Sequence, residues 1–272
     1  MSIGRPESPS NEPVAMPSAG ALPTISVVTV VYNGAAVIGR TLASVAEQRG
    51  EHIEYIVVDG GSTDGTMEQV RDSGLRVDRF ISERDHGIYD AMNKGARLAR
   101  GEYLYFLNAG DTFCAPDVLQ RAAELLMHRP ALLAGQVVVD AAAGVRYPVR
   151  LTDSALRNAR VLFATHFCHQ ALFVSRTDLL ATGGFDLRYP HFADFHSAWR
   201  VMQRGAVECV DGFDIAFFPL DGVSSDWRRA VDFFNEREGM LEALGFGGGV
   251  LARLFGRIRA HMYLWKMSVR SR

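Results

Sequence analysis

Residues 83–111 read ERDHGIYDAMNKGARLARGEYLYFLNAGD, and the way this stretch ends decides the fold. Helical spacing over 87–99, opened by Gly87, leads through Gly101 into a short apolar run at 103–107. That run stops abruptly at Asn108-Ala109-Gly110-Asp111. A buried strand that delivers an amide, two very small residues and a carboxylate at its C-terminal end is an arrangement for holding something polar. In open α/β sheets the ligand crevice lies outside the carboxyl ends of the strands. Small residues there let a ligand approach the backbone closely. Asp111 offers a hard oxygen to Mg²⁺ or Mn²⁺, and Mg²⁺ usually takes only one or two carboxylates plus substrate phosphates.

The segments upstream repeat the pattern. ISVVTVV (25–31) is the β-branched run of a fully buried parallel strand, and it stops at the turn Tyr32-Asn33-Gly34. EYIVV (54–58) is a second such run, ending in Asp59-Gly60-Gly61-Ser62-Thr63-Asp64. Helical spacing follows at 35–48 and 67–73, the latter with Asp64 or Thr66 as candidate N-cap. A short strand at 79–82 and a helix at 116–129 complete the first half. Alternating strands and helices predict an α/β chain, with a mostly parallel sheet covered by helices on both faces. Right-handed crossovers then bring the loops at Tyr32, Asp59 and Asn108 to one edge. The second half is less regular. Strands are expected at 134–140 and 145–149 (a hairpin across 141–144), at 170–175 and over 207–220, with helices at 177–182, 194–203 and 227–244.

Composition narrows the function. The net charge of −2 argues against a general nucleic-acid binder, which would carry a strong basic excess. Cys114, Cys168 and Cys209 form no CxxC pair, so no zinc or redox motif is supported, and reduced cysteines in a cytoplasmic setting are expected. Residues 1–23, rich in proline and without a charged and apolar signal pattern, read as a disordered leader. The G-x-G-x-x-G and Walker phosphate loops are both absent where they would have to stand.

Two carboxylates carry alternatives. Asp59 at a strand end is either a turn carboxylate capping backbone N–H groups or an acceptor for a base N–H or ribose hydroxyl. Asp194 at a helix start is either an N-cap or a general base at the mouth of the crevice. His166, His169, His191 and His196 cluster around it without metal-ligand spacing on one helix.

In order along the chain, SVVTVVYNG, YIVVDGGSTDGT, the 83–111 stretch, HQALF and GGFDLRYPHFADF resemble the family 2 glycosyltransferases, over roughly residues 25–204. The GIYDAMNKG wording looks most like the branch that builds bacterial exopolysaccharides and glycolipids. The resemblance implies the GT-A nucleotide-sugar fold over 24–222, with C-terminal helices over 223–272. It implies transfer of a sugar from a nucleotide-diphosphate donor, a UDP-sugar first among them, to a hydroxyl of a saccharide or lipid-linked acceptor, with inversion. By that resemblance Tyr32, Asp59 and Asp90 or Asn93 line the nucleoside pocket, all four being candidate donor contacts. Asn108–Asp111 stands where the family has its Asp-x-Asp metal motif, with Asp111 on Mg²⁺ or Mn²⁺. His169 and Gln170 face the diphosphate or the sugar, and Asp194 is the base. The chain departs from the family in having one carboxylate in the metal motif and Ala193 beside the base. That departure keeps an alternative open: a non-catalytic sugar-nucleotide or glycan-binding protein on the same fold. A nucleotidyltransferase is more distant, because that chemistry wants carboxylates for a metal pair.

Residues 243–272 hold six Lys/Arg and no acid, with Leu251, Leu254, Phe255, Ile258, Met262 and Trp265 on one helical face. The face either packs on the core or lies on an anionic membrane surface through 249–272, which would place the protein peripherally on the cytoplasmic face. Basic residues are worth about 1 kcal/mol each near such a surface. Deleting 249–272 is therefore expected to release the protein from anionic vesicles in a flotation assay while donor binding persists. A truncated protein that loses thermal stability, from a parent that ignores vesicles, would identify the stripe as core.

Overall fold

The computed structural model describes residues 24–50, 52–139, 145–148, 157–159, 168–218 and 230–247. The expected leader at 1–23, the turn at 141–144, His166 and the basic stripe at 249–272 lie outside them. The strands are β1 (Ile25–Val31), β2 (Ile53–Asp59), β3 (Arg79–Ser82), β4 (Tyr103–Phe106), β5 (Thr112–Phe113), β6 (Leu132–Val139), β7 (Val145–Pro148), β8 (Leu172–Ser175) and β9 (Val207–Phe218). The helices are α1 (Ile38–Ala46), α2 (Thr66–Asp72), α3 (Ile88–Leu98), α4 (Val118–Leu125), α5 (Arg176–Ala181), α6 (Ala193–Met202) and α7 (Ala230–Ala243). One sheet runs β3-β2-β1-β4-β8-β6-β9-β5, with β7 on β6.

The sheet is parallel from β3 to β4, as the β-α-β order requires. Beyond β4 it becomes mixed, with β8 antiparallel to both β4 and β6, and β9 parallel to β6. Successive side chains of a strand point to opposite faces. Val27 and Val31 thus enter one apolar layer with Ile38, Leu42, Val70 and Leu119 of α1, α2 and α4. Val28 and Val30 enter another with Met92, Leu179, Phe195 and Trp199 of α3, α5 and α6. Helices cover both faces, as read from the sequence. Met240 and Leu241 of α7 are buried in the second layer, and Phe246 packs edge-on against Trp199 at 5.2 Å. No helix among the described residues is long and apolar enough to cross a membrane.

Several local expectations change. The N-cap of α2 is Gly65, at φ +92°, which has no side chain to cap with. Asp64 instead accepts from the Thr66 N–H and hydroxyl and from the Ala35 N–H, bracing two loops. The strand expected at 170–175 begins only at Leu172, because residues His169–Ala171 form a 3₁₀ turn. The two-residue β5 has too little pattern to be seen in sequence.

Close packing at the base of the parallel half depends on Gly101. A Cβ there would lie 2.7 Å from the Ser26 nitrogen and 3.0 Å from the Thr24 carbonyl oxygen. Backbone atoms of a central strand cannot move aside. Gly101→Ala is expected to destabilise by about 1–3 kcal/mol, the usual cost of overpacking. Thermal unfolding would check this, and an unchanged midpoint would contradict it.

Candidate active site

The carboxyl ends of β1, β2 and β4 lie side by side, so the loops after them meet at one edge. The first two loops are sewn together. Asn33 donates its N–H to the Ser62 hydroxyl at 2.7 Å and accepts from the Thr63 N–H at 3.0 Å. It holds a left-handed φ of +47°, which asparagine tolerates better than most residues. Tyr32 stands 66% exposed beside this junction.

The third loop carries Asp111. The Thr41 hydroxyl of α1 accepts from the Gly110 N–H and donates to the Asp111 carbonyl, both at 2.8 Å, which fixes the turn. The Asp111 side chain is 5% exposed and accepts from Gln170 Nε2 at 3.2 Å. Burial pushes its pKa up to about 6, against the lowering pull of His169, the Gln170 hydrogen bond and Arg40. Gln170 is itself held from behind, its carbonyl accepting from the buried Tyr105 hydroxyl at 2.8 Å.

Asp194 is the second residue of α6, and the helix N-cap is Phe192. The N-cap reading of Asp194 is thereby removed. Its Oδ1 accepts from the Tyr89 hydroxyl at 2.9 Å and from the Phe195 N–H at 2.8 Å. Its Oδ2 lies 3.2 Å from His169 Nδ1. The other ring nitrogen of His169 is 2.9 Å from Asn108 Nδ2. An amide nitrogen only donates, so this contact assigns the proton of a neutral imidazole to Nδ1, facing Asp194. Burial, then the charge of Asp194, raises the Tyr89 pKa well above its ordinary value, so Tyr89 remains a donor. The metal-motif loop and the residue in the base position are thus connected through a single histidine.

A divalent cation would find few protein ligands here. Among the described residues no three His, Cys, Asp or Glu side chains gather as a metal cluster. Two observations nevertheless fit a cation with few protein ligands. Asp111 is a buried carboxylate whose charge is poorly compensated, and Asn108 Oδ1 is buried without a hydrogen-bond partner among the described residues. A Mg²⁺ or Mn²⁺ ion held there would complete its shell with water and phosphate oxygens.

Other expected residues are placed differently. Asp59 is fully buried, and its oxygens accept from the Ser62 N–H, the Ser62 hydroxyl and the Ser82 hydroxyl. Turn capping is therefore the role its geometry shows. Asn93 is buried with both ends of its amide bonded to the Phe185 backbone, at 2.8 Å each. It clamps α3 to the loop before α6. Asp90 accepts from the His86 N–H at 3.1 Å and lies 3.6 Å from Lys94 Nζ. Burial raises its pKa, but the His86 hydrogen bonds and the Lys94 charge outweigh this and lower it. Thr41, Tyr89 and Glu236 were not readable as site residues from sequence. Each acts across more than 40 positions, on Asp111, Asp194 and His191 respectively.

Comparison with known proteins identifies the family and the fold. Residues 26–210 match glycosyl transferase family 2. A PGL/p-HBAD biosynthesis glycosyltransferase of Mycobacterium bovis is 36% identical over 191 residues, spanning 69% of this chain and 73% of that protein. An uncharacterised glycosyltransferase of Haemophilus influenzae is 32% identical over 233 residues, 82% of this chain and 93% of its own. Among solved structures, S. aureus TarS 1-349 in complex with UDP-GlcNAc superposes with a TM-score of 0.66 at 19% identity, over 80% of this chain and 65% of that one. The mannosyltransferase PcManGT from Pyrobaculum calidifontis, in complex with GDP-Man and Mn²⁺, gives 0.61 at 21% identity, over 95% and 79%. These two likenesses concern the fold. The family match over most of the chain, with the mycobacterial relative, makes this chain a member of glycosyl transferase family 2 and a glycosyltransferase.

Proposed function

We propose that the protein transfers a sugar from a nucleotide-diphosphate donor, most simply a UDP-sugar, to a hydroxyl of a saccharide or lipid-linked acceptor, with inversion. One observation carries this reading: Asp194 is held at the start of α6 by Tyr89 and His169, and His169 also touches Asn108 of the metal-motif loop. In this reading an acceptor hydroxyl gives its proton to Asp194 as its oxygen bonds to the anomeric carbon. The bond from that carbon to the diphosphate oxygen breaks on the opposite face, and its electron pair leaves with the diphosphate. One base and one displacement invert the centre. Asp111 would hold a divalent cation, which when bound supplies Lewis-acid stabilisation to the leaving diphosphate. Tyr32, His169 and Gln170 remain as donor contacts, whereas Asp59 and Asn93 support the walls behind them. A neighbour of the same fold in complex with UDP-GlcNAc supports a UDP-sugar, and another in complex with GDP-Man keeps other nucleobases open.

The lone carboxylate at Asn108–Asp111 is what favours the alternative, a binding protein without turnover. Donor hydrolysis and transfer with Mn²⁺, over UDP-, GDP- and dTDP-sugars, separate the two. Asp194→Asn keeps the shape and loses the basicity, so transfer is expected to fall by roughly 10²–10⁴-fold. Donor affinity should not change. Transfer near the wild-type rate would remove Asp194 from the base role.

Asp111 makes a prediction on stability in metal-free buffer. Its folded pKa, about 6, lies above the ordinary 3.8. The folded protein therefore binds more protons than the unfolded chain between these values, and stability falls as pH rises through them. Two pK units correspond to about 3 kcal/mol at most. Asp111→Asn is expected to unfold at a higher temperature than the wild type near pH 8, and at a similar one only near pH 3, below the ordinary carboxylate value. Equal midpoints at both would show that the buried carboxylate carries no cost.

A further inference from the structure

The residue proposed as base stands at the start of a helix whose first turn is held by a carboxylate from outside the family-matched span. That carboxylate is Glu236 of α7, whereas the family match ends at residue 210. Glu236 Oε1 accepts from the backbone N–H of His191 at 2.8 Å and of Phe192 at 2.9 Å. Its Oε2 meets His191 Nδ1. Both side chains are nearly buried, at 10% and 11% exposure. The Phe233 ring, one helical turn before Glu236, packs edge-on against the His191 ring at 4.3 Å. Phe192 is the N-cap of α6, so Glu236 satisfies backbone donors at the mouth of that helix, where a negative charge also suits the helix dipole.

The consequence for Asp194 runs through Tyr89. The Tyr89 hydroxyl lies 2.9 Å from Asp194 Oδ1 and 3.1 Å from the His191 carbonyl oxygen. A hydroxyl has a single hydrogen to donate. With Asp194 ionised, the carboxylate is the stronger acceptor and takes it. Once Asp194 has received a proton, its acceptor strength drops and the His191 carbonyl becomes the competing partner. The His191 peptide is the one Glu236 holds in place. Resting on the proposed role of Asp194 as base, we infer that Glu236 and Tyr89 are positioning residues. Glu236 fixes the His191 backbone, and Tyr89, anchored on that backbone, sets the direction of the Asp194 carboxylate. Helix α7 is then part of the transfer machinery and not only a cover for the core.

The test compares Glu236→Ala, Glu236→Gln, Tyr89→Phe and Asp194→Asn in the full chain, with kcat, acceptor KM and donor Kd measured well below each midpoint of unfolding. Displacing a reacting group by about 1 Å costs up to 10²-fold in rate. Glu236→Ala and Tyr89→Phe are expected to lower kcat by about 10- to 100-fold, with donor Kd within about twofold of wild type. Glu236→Gln keeps an oxygen for the two N–H groups, so its kcat should stay within about threefold. Should Glu236→Ala not fold, Glu236→Asp replaces it under the same criteria, since the shorter chain cannot reach both N–H groups. A folded Glu236→Ala or Tyr89→Phe with wild-type kcat overturns the inference. So does a fall in donor affinity that matches the fall in rate, or a Glu236→Gln as impaired as the alanine variant. Asp194→Asn separates the two levels: if it transfers normally, the base reading fails. If it is inactive while Glu236→Ala and Tyr89→Phe are normal, only this inference fails.

Discussion

Strand β1 is paired in parallel on both sides, to β2 and to β4, and each of its seven residues is buried. The rest of the structure depends on this constraint. A buried strand cannot leave an N–H or carbonyl unpaired without a cost of kilocalories, so its two neighbours are obligatory. Because both run parallel, their chains must cross over through helices, and all three strands end on the same edge. The turn at Asn33, the capped loop after Asp59 and the Asp111 turn are consequences of that shared edge. The Thr41 hydroxyl and the Asp64 carboxylate then tie the loops to α1 and to one another.

Beyond the parallel half, the chain inverts its logic. Strand β8 joins β4 antiparallel, which returns residues 168–171 to the crevice. His169 and Gln170 thereby face the Asn108–Asp111 loop from the other side, one touching Asn108 and the other Asp111. Two adjacent residues on a tight 3₁₀ turn thus address the two ends of the metal-motif loop. In a regular strand successive side chains would point to opposite faces of the sheet. The turn that interrupts the expected strand is therefore what brings both side chains to the same crevice.

Electrostatics divides the carboxylates of this edge into two kinds. Asp59 is buried and fully bonded by serine hydroxyls and an N–H, so it serves the loop. Asp111 is also buried but has little to offset its charge, and its pKa rises in consequence. Such a group reduces stability unless a cation or ligand completes it, which is the common signature of a functional position. Asp194 lies between these limits, with a tyrosine and a histidine supplying its hydrogen bonds.

The amino-acid order is enough for the parallel half, since β-branched runs ending in glycine-rich polar turns allow few other structures. It also determined the edge on which the site lies and the family to which the chain belongs, because both depend on local patterns with fixed order. It did not separate Asp59 as a loop cap from Asp59 as a ligand, nor Asn93 as a clamp on Phe185 from Asn93 as a pocket wall. Those distinctions depend on what stands near each side chain: Ser62 and the distant Ser82 at Asp59, and Phe185, 92 residues away, at Asn93. The contribution of Glu236 is of the same kind. Its helix carries no family motif, and only the packing of α7 against the start of α6 brings its carboxylate to the His191 and Phe192 backbone. Hydrogen bonds act over ångströms in space and are blind to separation in sequence, so these partners become visible only in the tertiary structure.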